Sequence, residues 1–256
     1  MPRAGFVAAA HQARDELSRT ESRLQVELLD GFALRARVSI DLPLSAQRVV
    51  AFLALHDRPL LRLHVAGVLW PETSEDRAFA SLRTALWRVR RSGCNLVQAT
   101  DRQLELAPEV SVDAREAADF AHRVVHGEIE DDDEGLAGLL FTGELLPDWY
   151  DDWVLLERER IRQLHLHALE TVCERLTAAT RFAEAVEAGL AAVAGEPLRE
   201  SAHRALVKAY LAEGNRGEAV RQYSIFRELL NDHLGLAPSG EMENLVRGLP
   251  CTPQAQ

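Results

Sequence analysis

The chain has 256 residues, 47% of them hydrophobic, which is enough to bury one large core or two ordinary ones and excludes disorder throughout. The net charge of −11 argues against a generic nucleic-acid binder, but the charge is unevenly distributed. A basic segment, Arg35 to Arg102, has 11 Lys and Arg against 6 Asp and Glu (net +5) and is followed by an acidic one, residues 103–256, with 14 against 29 (net −15).

Residues 1–22 are predicted to form a flexible N-terminal arm, to which we assign no function. They lack the apolar core of a secretory signal, because FVAAA is followed at once by His11 and Arg14. No run approaches the ~20 apolar residues of a membrane span.

The three cysteines, Cys94, Cys173 and Cys251, are far apart and indicate neither a disulfide framework nor a zinc site. We therefore expect a cytoplasmic protein.

The next elements are short. VELLDGFALRARVSIDL alternates as two β-strands do, with a turn either near Asp30 and Gly31 or near Arg35 to Arg37. Ser45 to His56 has helical spacing and a serine that is expected to cap it, and Leu61 to Leu69 predicts a second short helix ending at Trp70-Pro71.

The third predicted helix, Thr73 to Arg91, is the most informative stretch. Thr73 and Asp76 have the spacing of a capping box, and Gly93 can end the helix. At ~100° per residue, one side is an apolar stripe that can dock on a core. That stripe consists of Ala78, Phe79, Leu82, Ala85, Leu86 and Val89. The opposite side carries Arg77, Ser81, Thr84, Arg88 and Arg91, with Ala80 and Trp87 beside it and Arg83 and Arg90 at the boundary.

Arginines at the end of a helix can simply complement its dipole. That explanation covers the last turn but not Arg77, the exposed Trp87, or the absence of any acidic residue between Arg77 and Asp101. A merely soluble helix would usually include glutamates for i,i+4 pairs. The pattern favours a DNA-recognition helix.

A β-hairpin is predicted after Gly93. NLVQATDRQLELAP contains two short runs around a polar tip, Thr100-Asp101-Arg102. Two strands, three helices and a closing hairpin are typical of a winged helix-turn-helix, predicted here for residues 23–109. In that fold the third helix enters the major groove and the hairpin wing contacts the backbone or the minor groove, which makes Arg102 a candidate phosphate or minor-groove contact.

Residues 110–250 are almost wholly helix-like, and residues 251–256 are a tail. AEAVEAGLAA at Ala183 aligns with GEAVRQYSIF at Gly217 at an offset of 34, which is the tetratricopeptide spacing. From the repeat alone, an ordinary helical bundle stays an alternative. The expected fold class is therefore mainly α with small β elements: a winged helix-turn-helix followed by an all-α tetratricopeptide-like domain.

Two stretches carry a resemblance to a known family. LSAQRVVAFLALHDRPLLRLHVAGV and LWPETSEDRAFASLRTALWRVRR resemble the DNA-binding domain of the Streptomyces antibiotic regulatory proteins, which is a winged helix of the OmpR type. LLPDWYDDWVLLERERIRQL and the sequence from GEPLRESAHRAL onward are similar to the bacterial transcriptional activation domain that follows it in the same family.

The resemblance implies a sequence-specific transcriptional activator, associated with the nucleoid, of a biosynthetic gene cluster. Family members bind direct repeats in promoter DNA as dimers and act through RNA polymerase, so those partners are expected here. The rival hypothesis is a tetratricopeptide-like adaptor whose winged helix contacts protein, which the net charge of −11 permits. A small effector could bind the helical domain, but the sequence names none.

No catalytic, cofactor or metal site is predicted. HRVVH places His122 and His126 four residues apart but lacks the glutamate of HExxH and a third ligand, and His165 and His167 point to different sides of a helix. The acidic run from Glu128 to Glu134 lacks the glycine and final glutamate of a Ca²⁺ loop. Phosphate-binding and nucleophile motifs are also absent, so we expect a protein that is not an enzyme.

Overall fold

The structure is a computed structural model that describes residues 24–36, 40–128 and 143–249. The predicted arm and tail lie outside these residues. The strands are β1 (Gln25–Glu27), β2 (Ala33–Arg35), β3 (Leu60–Leu61), β4 (Val97–Ala99), β5 (Gln103–Leu106) and β6 (Ser111–Val112). The helices are α1 (Leu44–Ala54), α2 (Arg62–Leu69), α3 (Glu75–Arg91), α4 (Asp113–Val125), α5 (Asp152–Ala178), α6 (Phe182–Gly195), α7 (Glu200–Glu213), α8 (Arg216–Leu234) and α9 (Gly240–Val246).

The described residues form two compact units. The first contains residues 24–116 and 143–158, and the second contains residues 117–128 and 159–249, within the described ranges. In that part of the chain, no helix combines the length and apolar character needed to span a membrane.

The first unit is a winged helix-turn-helix, as predicted. β1 pairs antiparallel with β2, and the intervening turn contains Asp30 and Gly31 at positive φ. β1 also pairs in parallel with β6, which sequence reasoning missed because two residues are too short to show alternation. β3, β5 and β4 form a second antiparallel sheet, in which β4 and β5 are the wing.

The predicted serine cap of the first helix is wrong. The helix begins at Leu44 with Pro43 as N-cap, and no side chain caps it. Pro43 has φ −60° and ψ 146°, and its carbonyl accepts the N–H groups of Ala46 (2.7 Å) and Gln47 (3.0 Å). The proline ring holds φ near its helical value, so the backbone starts this helix without a side-chain acceptor.

Residues 143–158 belong to the first unit because of aromatic and polar contacts made there. Trp153 is buried and lies edge-on against Phe52 of α1, with ring centroids 5.2 Å apart. Trp149 stacks on Phe32 at 6.1 Å, and Arg48 of α1 forms an ion pair with Asp151. The sequence placed this whole stretch in a helical domain, but its side chains complete the core of the winged-helix unit.

Asp113 connects β1 to the start of α4. Its carboxylate accepts the backbone N–H groups of Leu28 (2.8 Å), Leu29 (3.0 Å) and Ala114 (2.6 Å). Burial raises the pKa of Asp113, and the three N–H donors partly offset that rise by stabilising the charged form. The carboxylate thus satisfies three amide groups where β1 and β6 of the β2-β1-β6 sheet end.

The second unit is a stack of antiparallel helices, in agreement with the predicted tetratricopeptide-like fold. α6 packs on α7 and α7 packs on α8. The alanines superposed by the 34-residue offset, Ala185 and Ala219, are both fully buried near the starts of α6 and α8. The helices approach so closely that a Cβ added at Gly189 would lie 3.1 Å from Leu206 and 3.2 Å from the Cys173 sulfur. The absence of a side chain at Gly189 therefore allows α6 to approach α5 and α7 closely.

His203 is the buried polar residue of this stack. Its Nε2 lies 2.9 Å from the Pro197 carbonyl, its Nδ1 lies 2.9 Å from the Gln222 amide nitrogen, and its ring packs on Phe226 at 4.3 Å. One nitrogen donates and the other accepts, which is the arrangement of a neutral imidazole. Burial lowers the pKa of His203, in keeping with that neutral form.

Candidate nucleic-acid interface

Helix α3 docks its predicted apolar stripe on α1 and α2. Phe79 is half-buried, and the other members of the stripe, Ala78, Leu82, Ala85, Leu86 and Val89, are buried. Burying these side chains against the core stabilises the docked helix, at about 1.5–3 kcal/mol for each fully buried Leu or Val side chain. The remaining face of α3 is left to solvent.

The candidate residues on that face are exposed except for one. Arg77, Arg83, Thr84, Trp87, Arg88, Arg90 and Arg91 are exposed, whereas Ser81 is half-buried. In the described part of the chain, none of the five arginines on α3 forms a salt bridge with a carboxylate. By contrast, several arginines of the second unit are paired, for example Arg199 with Glu170 at 2.6 Å. The positive charge of α3 is therefore available to an external anion.

The predicted capping box at the start of α3 is wrong. Ser74 is the N-cap and makes no side-chain capping bond, while the Thr73 hydroxyl donates to the Trp70 carbonyl at 3.1 Å. Thr73 thus closes the turn between α2 and α3 instead of starting the helix. Glu75 and Asp76 occupy the first turn, where negative side chains favour the positive end of the helix dipole.

The wing is held by hydrogen bonds at its tip. The Thr100 hydroxyl oxygen accepts the Gln103 N–H at 3.0 Å, which closes the turn between β4 and β5. Arg62, the first residue of α2, donates its backbone N–H to the Arg102 carbonyl at 2.9 Å and its guanidinium to the Thr100 carbonyl at 3.0 Å. The backbone at the tip is therefore attached to the helix-turn-helix, and the Arg102 side chain is exposed.

Sequence reasoning missed two residues that position the interface, Arg62 and Ser45. Arg62 was an ordinary surface residue at the start of a helix, and Ser45 was interpreted as a cap. In the structure the Ser45 hydroxyl accepts a hydrogen bond of 3.0 Å from the Arg88 guanidinium. The two residues are 43 positions apart, so no local pattern could have paired them.

The rejected metal candidates have ordinary surroundings. His122 and His126 are exposed near the end of α4, and Nδ1 of His126 lies 2.7 Å from the His122 carbonyl. Within the described ranges, no group of three or more His, Cys, Asp or Glu is arranged to hold a metal ion. Apart from Glu128, the acidic run to Glu134 lies outside those ranges.

Residues 109–249, more than half of the chain, match the family model described as "Bacterial transcriptional activator domain". The chain is also similar to two curated proteins named "Regulatory protein AfsR". The protein from Streptomyces coelicolor is 26% identical over 206 residues, covering 77% of this chain and 21% of the relative. The protein from Streptomyces griseus is 26% identical over 210 residues with the same coverage, so the chain spans about a fifth of the length of these relatives.

Among solved structures, the chain is similar to EmbR of Mycobacterium tuberculosis, determined in complex with a low-affinity phosphopeptide. The TM-score is 0.72 at 21% identity, covering 88% of this chain and 64% of EmbR, which supports the fold. The domain match over residues 109–249 shows that the chain belongs to the bacterial transcriptional activator domain family.

Proposed function

We propose that the protein is a sequence-specific DNA-binding transcriptional activator of a biosynthetic gene cluster. The observation that carries this proposal is the set of exposed guanidinium groups on α3 and at the wing tip, which in the described residues have no carboxylate partner. Duplex DNA offers guanine acceptor atoms in the major groove, which a recognition helix reaches, and anionic phosphates beside the groove, which the wing reaches. The family to which the chain belongs supports the same conclusion.

The proposed roles follow from position on the helix. Arg77, Ser81, Thr84, Arg88 and Arg91 face the major groove, and Arg83 and Arg90 contact phosphates on either side. Arg102 contacts a phosphate or the minor groove from the wing. Ser81 contributes least, because it is half-buried, and Arg88 is steered by its hydrogen bond to Ser45.

The test of DNA binding is a titration of promoter fragments and scrambled duplexes at several salt concentrations. Each phosphate contact lowers the slope of log affinity against log salt by ~0.9, so Arg102→Ala should flatten the slope by about 1. Arg88→Ala should cost ~1–3 kcal/mol if it reads a guanine. Arg221→Ala, at an exposed arginine of α8 in the second unit, is the matched control and should bind like wild type.

Two results would reject this function. Arg77, Arg88 and Arg102 variants that all bind like wild type would remove the proposed interface. Equal binding to promoter and scrambled duplexes at ~150 mM salt would instead favour the adaptor hypothesis, because only nonspecific charge attraction would remain.

The second unit is proposed to support dimerisation on direct repeats and to contact RNA polymerase holoenzyme in the cytoplasm. Its acidic composition disfavours contact with DNA and leaves the basic winged helix to face the duplex. In vitro transcription with purified polymerase tests this role: the full chain should raise transcript yield from a bound promoter. An unchanged yield from a promoter that the full chain binds would refute this role.

A further inference from the structure

Trp87 and Ala80 lie at the centre of the exposed face of α3, beside Arg91 and Thr84. At ~100° per residue, the direction opposite the buried side chains falls between Trp87 and Arg91, over Ala80, with Thr84 within about 40°. Arg88 and Ser81 lie roughly 75° to 95° from that centre, at the edge of the face. The half-burial of Ser81 and the exposure of Ala80 agree with this geometry. A tryptophan is therefore one of the central residues of the solvent-facing side of α3.

Trp87 is held in place by a neighbouring guanidinium. The Arg91 guanidinium carbon lies over the indole ring, 4.8 Å from its centroid, and 55% of Trp87 remains exposed. A cation above an aromatic face is attractive and restricts both side chains. More than half of Trp87 is exposed, so the ring is accessible to a partner that binds α3.

The polar neighbours are already engaged. The Thr84 hydroxyl donates to the Ala80 carbonyl at 2.9 Å, and the Arg88 guanidinium donates to Ser45 at 3.0 Å. Around the ring stand the arginines without carboxylate partners described above, so this surface offers an anionic occupant cationic groups and one exposed aromatic ring. In the major groove, phosphates flank the base edges, and the only apolar group on those edges is the thymine C5-methyl.

We infer that Trp87 is a specificity-determining residue that reads a thymine methyl group in the major groove. This inference rests on the proposed DNA-binding function. The indole covers the methyl of an A·T pair, Arg91 keeps the indole in position, and Arg83 and Arg90 hold phosphates. The prediction is a preference for thymine at one position of each repeat that depends on the methyl group alone.

The test begins with enrichment of duplexes carrying a randomised centre, using wild type, Trp87→Ala and Trp87→Phe. Tyr150→Ala is the control, because Tyr150 is 78% exposed in the same unit but lies outside α3. Circular dichroism confirms that each variant is folded. The enriched duplex is then resynthesised with deoxyuridine in place of each thymidine in turn, which removes only the methyl group.

Wild type should lose about 4-fold in affinity when deoxyuridine replaces the thymidine that is read, the amount expected for one buried methyl group. Trp87→Ala should bind the thymidine duplex at least about 4-fold more weakly and show no further loss with deoxyuridine. Trp87→Phe should keep part of the discrimination. The salt dependence of Trp87→Ala should equal that of wild type, because no charge is removed.

Three results would overturn the inference. Trp87→Ala could retain the full deoxyuridine penalty or the wild-type base preference. It could instead lose only cooperativity between two repeats while its preference on a single repeat is unchanged, which would make Trp87 a protein contact. If wild type enriches no sequence, the proposed function fails as well, so a failure confined to Trp87 is distinguishable from a failure of DNA binding.

Discussion

Arg158 should control the stability of the winged-helix unit although it lies far from α3 in sequence. Its guanidinium donates to the carbonyls of Leu145 (2.8 Å), Leu146 and Trp149 (2.9 Å). Its Nε also lies 3.2 Å from a Glu144 carboxylate oxygen. One side chain, 17% exposed, thus satisfies three carbonyls of the segment that packs on α1.

The expected magnitude follows from these contacts. Arg158→Ala removes three hydrogen bonds, although the Leu146 carbonyl keeps the Trp149 N–H at 3.0 Å, and at about 1 kcal/mol for each bond the loss is about 3 kcal/mol in the free energy of unfolding. The cost for each hydrogen bond is taken at the lower end of the usual range of about 1–3 kcal/mol because water can reach part of the site. The Glu144 pair adds little, since that carboxylate is 56% exposed. Arg158→Lys, which keeps the charge but not the fork of donors, should lose about 2 kcal/mol.

Urea denaturation followed by tryptophan fluorescence measures this loss. All four tryptophans, Trp70, Trp87, Trp149 and Trp153, lie in the first unit, so fluorescence reports that unit, while far-ultraviolet circular dichroism reports helices of both units. Arg158→Ala should shift the fluorescence transition and leave a later circular-dichroism transition unchanged. A fluorescence shift worth less than about 1 kcal/mol would refute the proposed role of the three hydrogen bonds.

Three further measurements follow from the structure. Because the pKa of His203 is lowered in the folded protein, this imidazole is protonated at a higher pH in the unfolded chain than in the folded one. The second unit should therefore be stable above about pH 6.5 and lose stability as the pH falls below that value. His203→Gln should weaken that dependence in urea titrations at about pH 7.5 and about pH 5.5; an unchanged slope would contradict the neutral imidazole. In a Cys251→Ser background, maleimide should label half-exposed Cys94 in native protein and Cys173 only on unfolding, because burial blocks access and raises the pKa of Cys173 to about 11. Arg62→Ala should speed amide exchange at the wing tip without a global loss of helix; equal exchange in wild type and variant would rule out the anchoring role.

The amphipathic pattern of Thr73 to Arg91 was enough to predict a helix, its buried stripe and its arginine-rich face, because helical periodicity is a local property of the chain. The hairpin wing and the 34-residue repeat were found for the same reason. The predicted domain boundary between residues 109 and 110 stays a prediction. The two compact units are defined by their internal contacts, which do not show whether either segment folds alone. The residue assignments for DNA contact also stay predictions.

The amino-acid sequence by itself thus determined the fold class, the three helices of the winged helix and the position of the basic helix, but not the two-residue strands β3 and β6. Only the tertiary structure decided which residues orient that helix and its wing. The Ser45 hydroxyl accepts a hydrogen bond from Arg88, and Arg62 donates one to the wing tip. Trp153 packs edge-on against Phe52 in the core of the winged-helix unit. The residues of each pair are tens of positions apart in the sequence. Long-range packing leaves no periodic pattern in the chain, so these contacts are visible only in the tertiary structure.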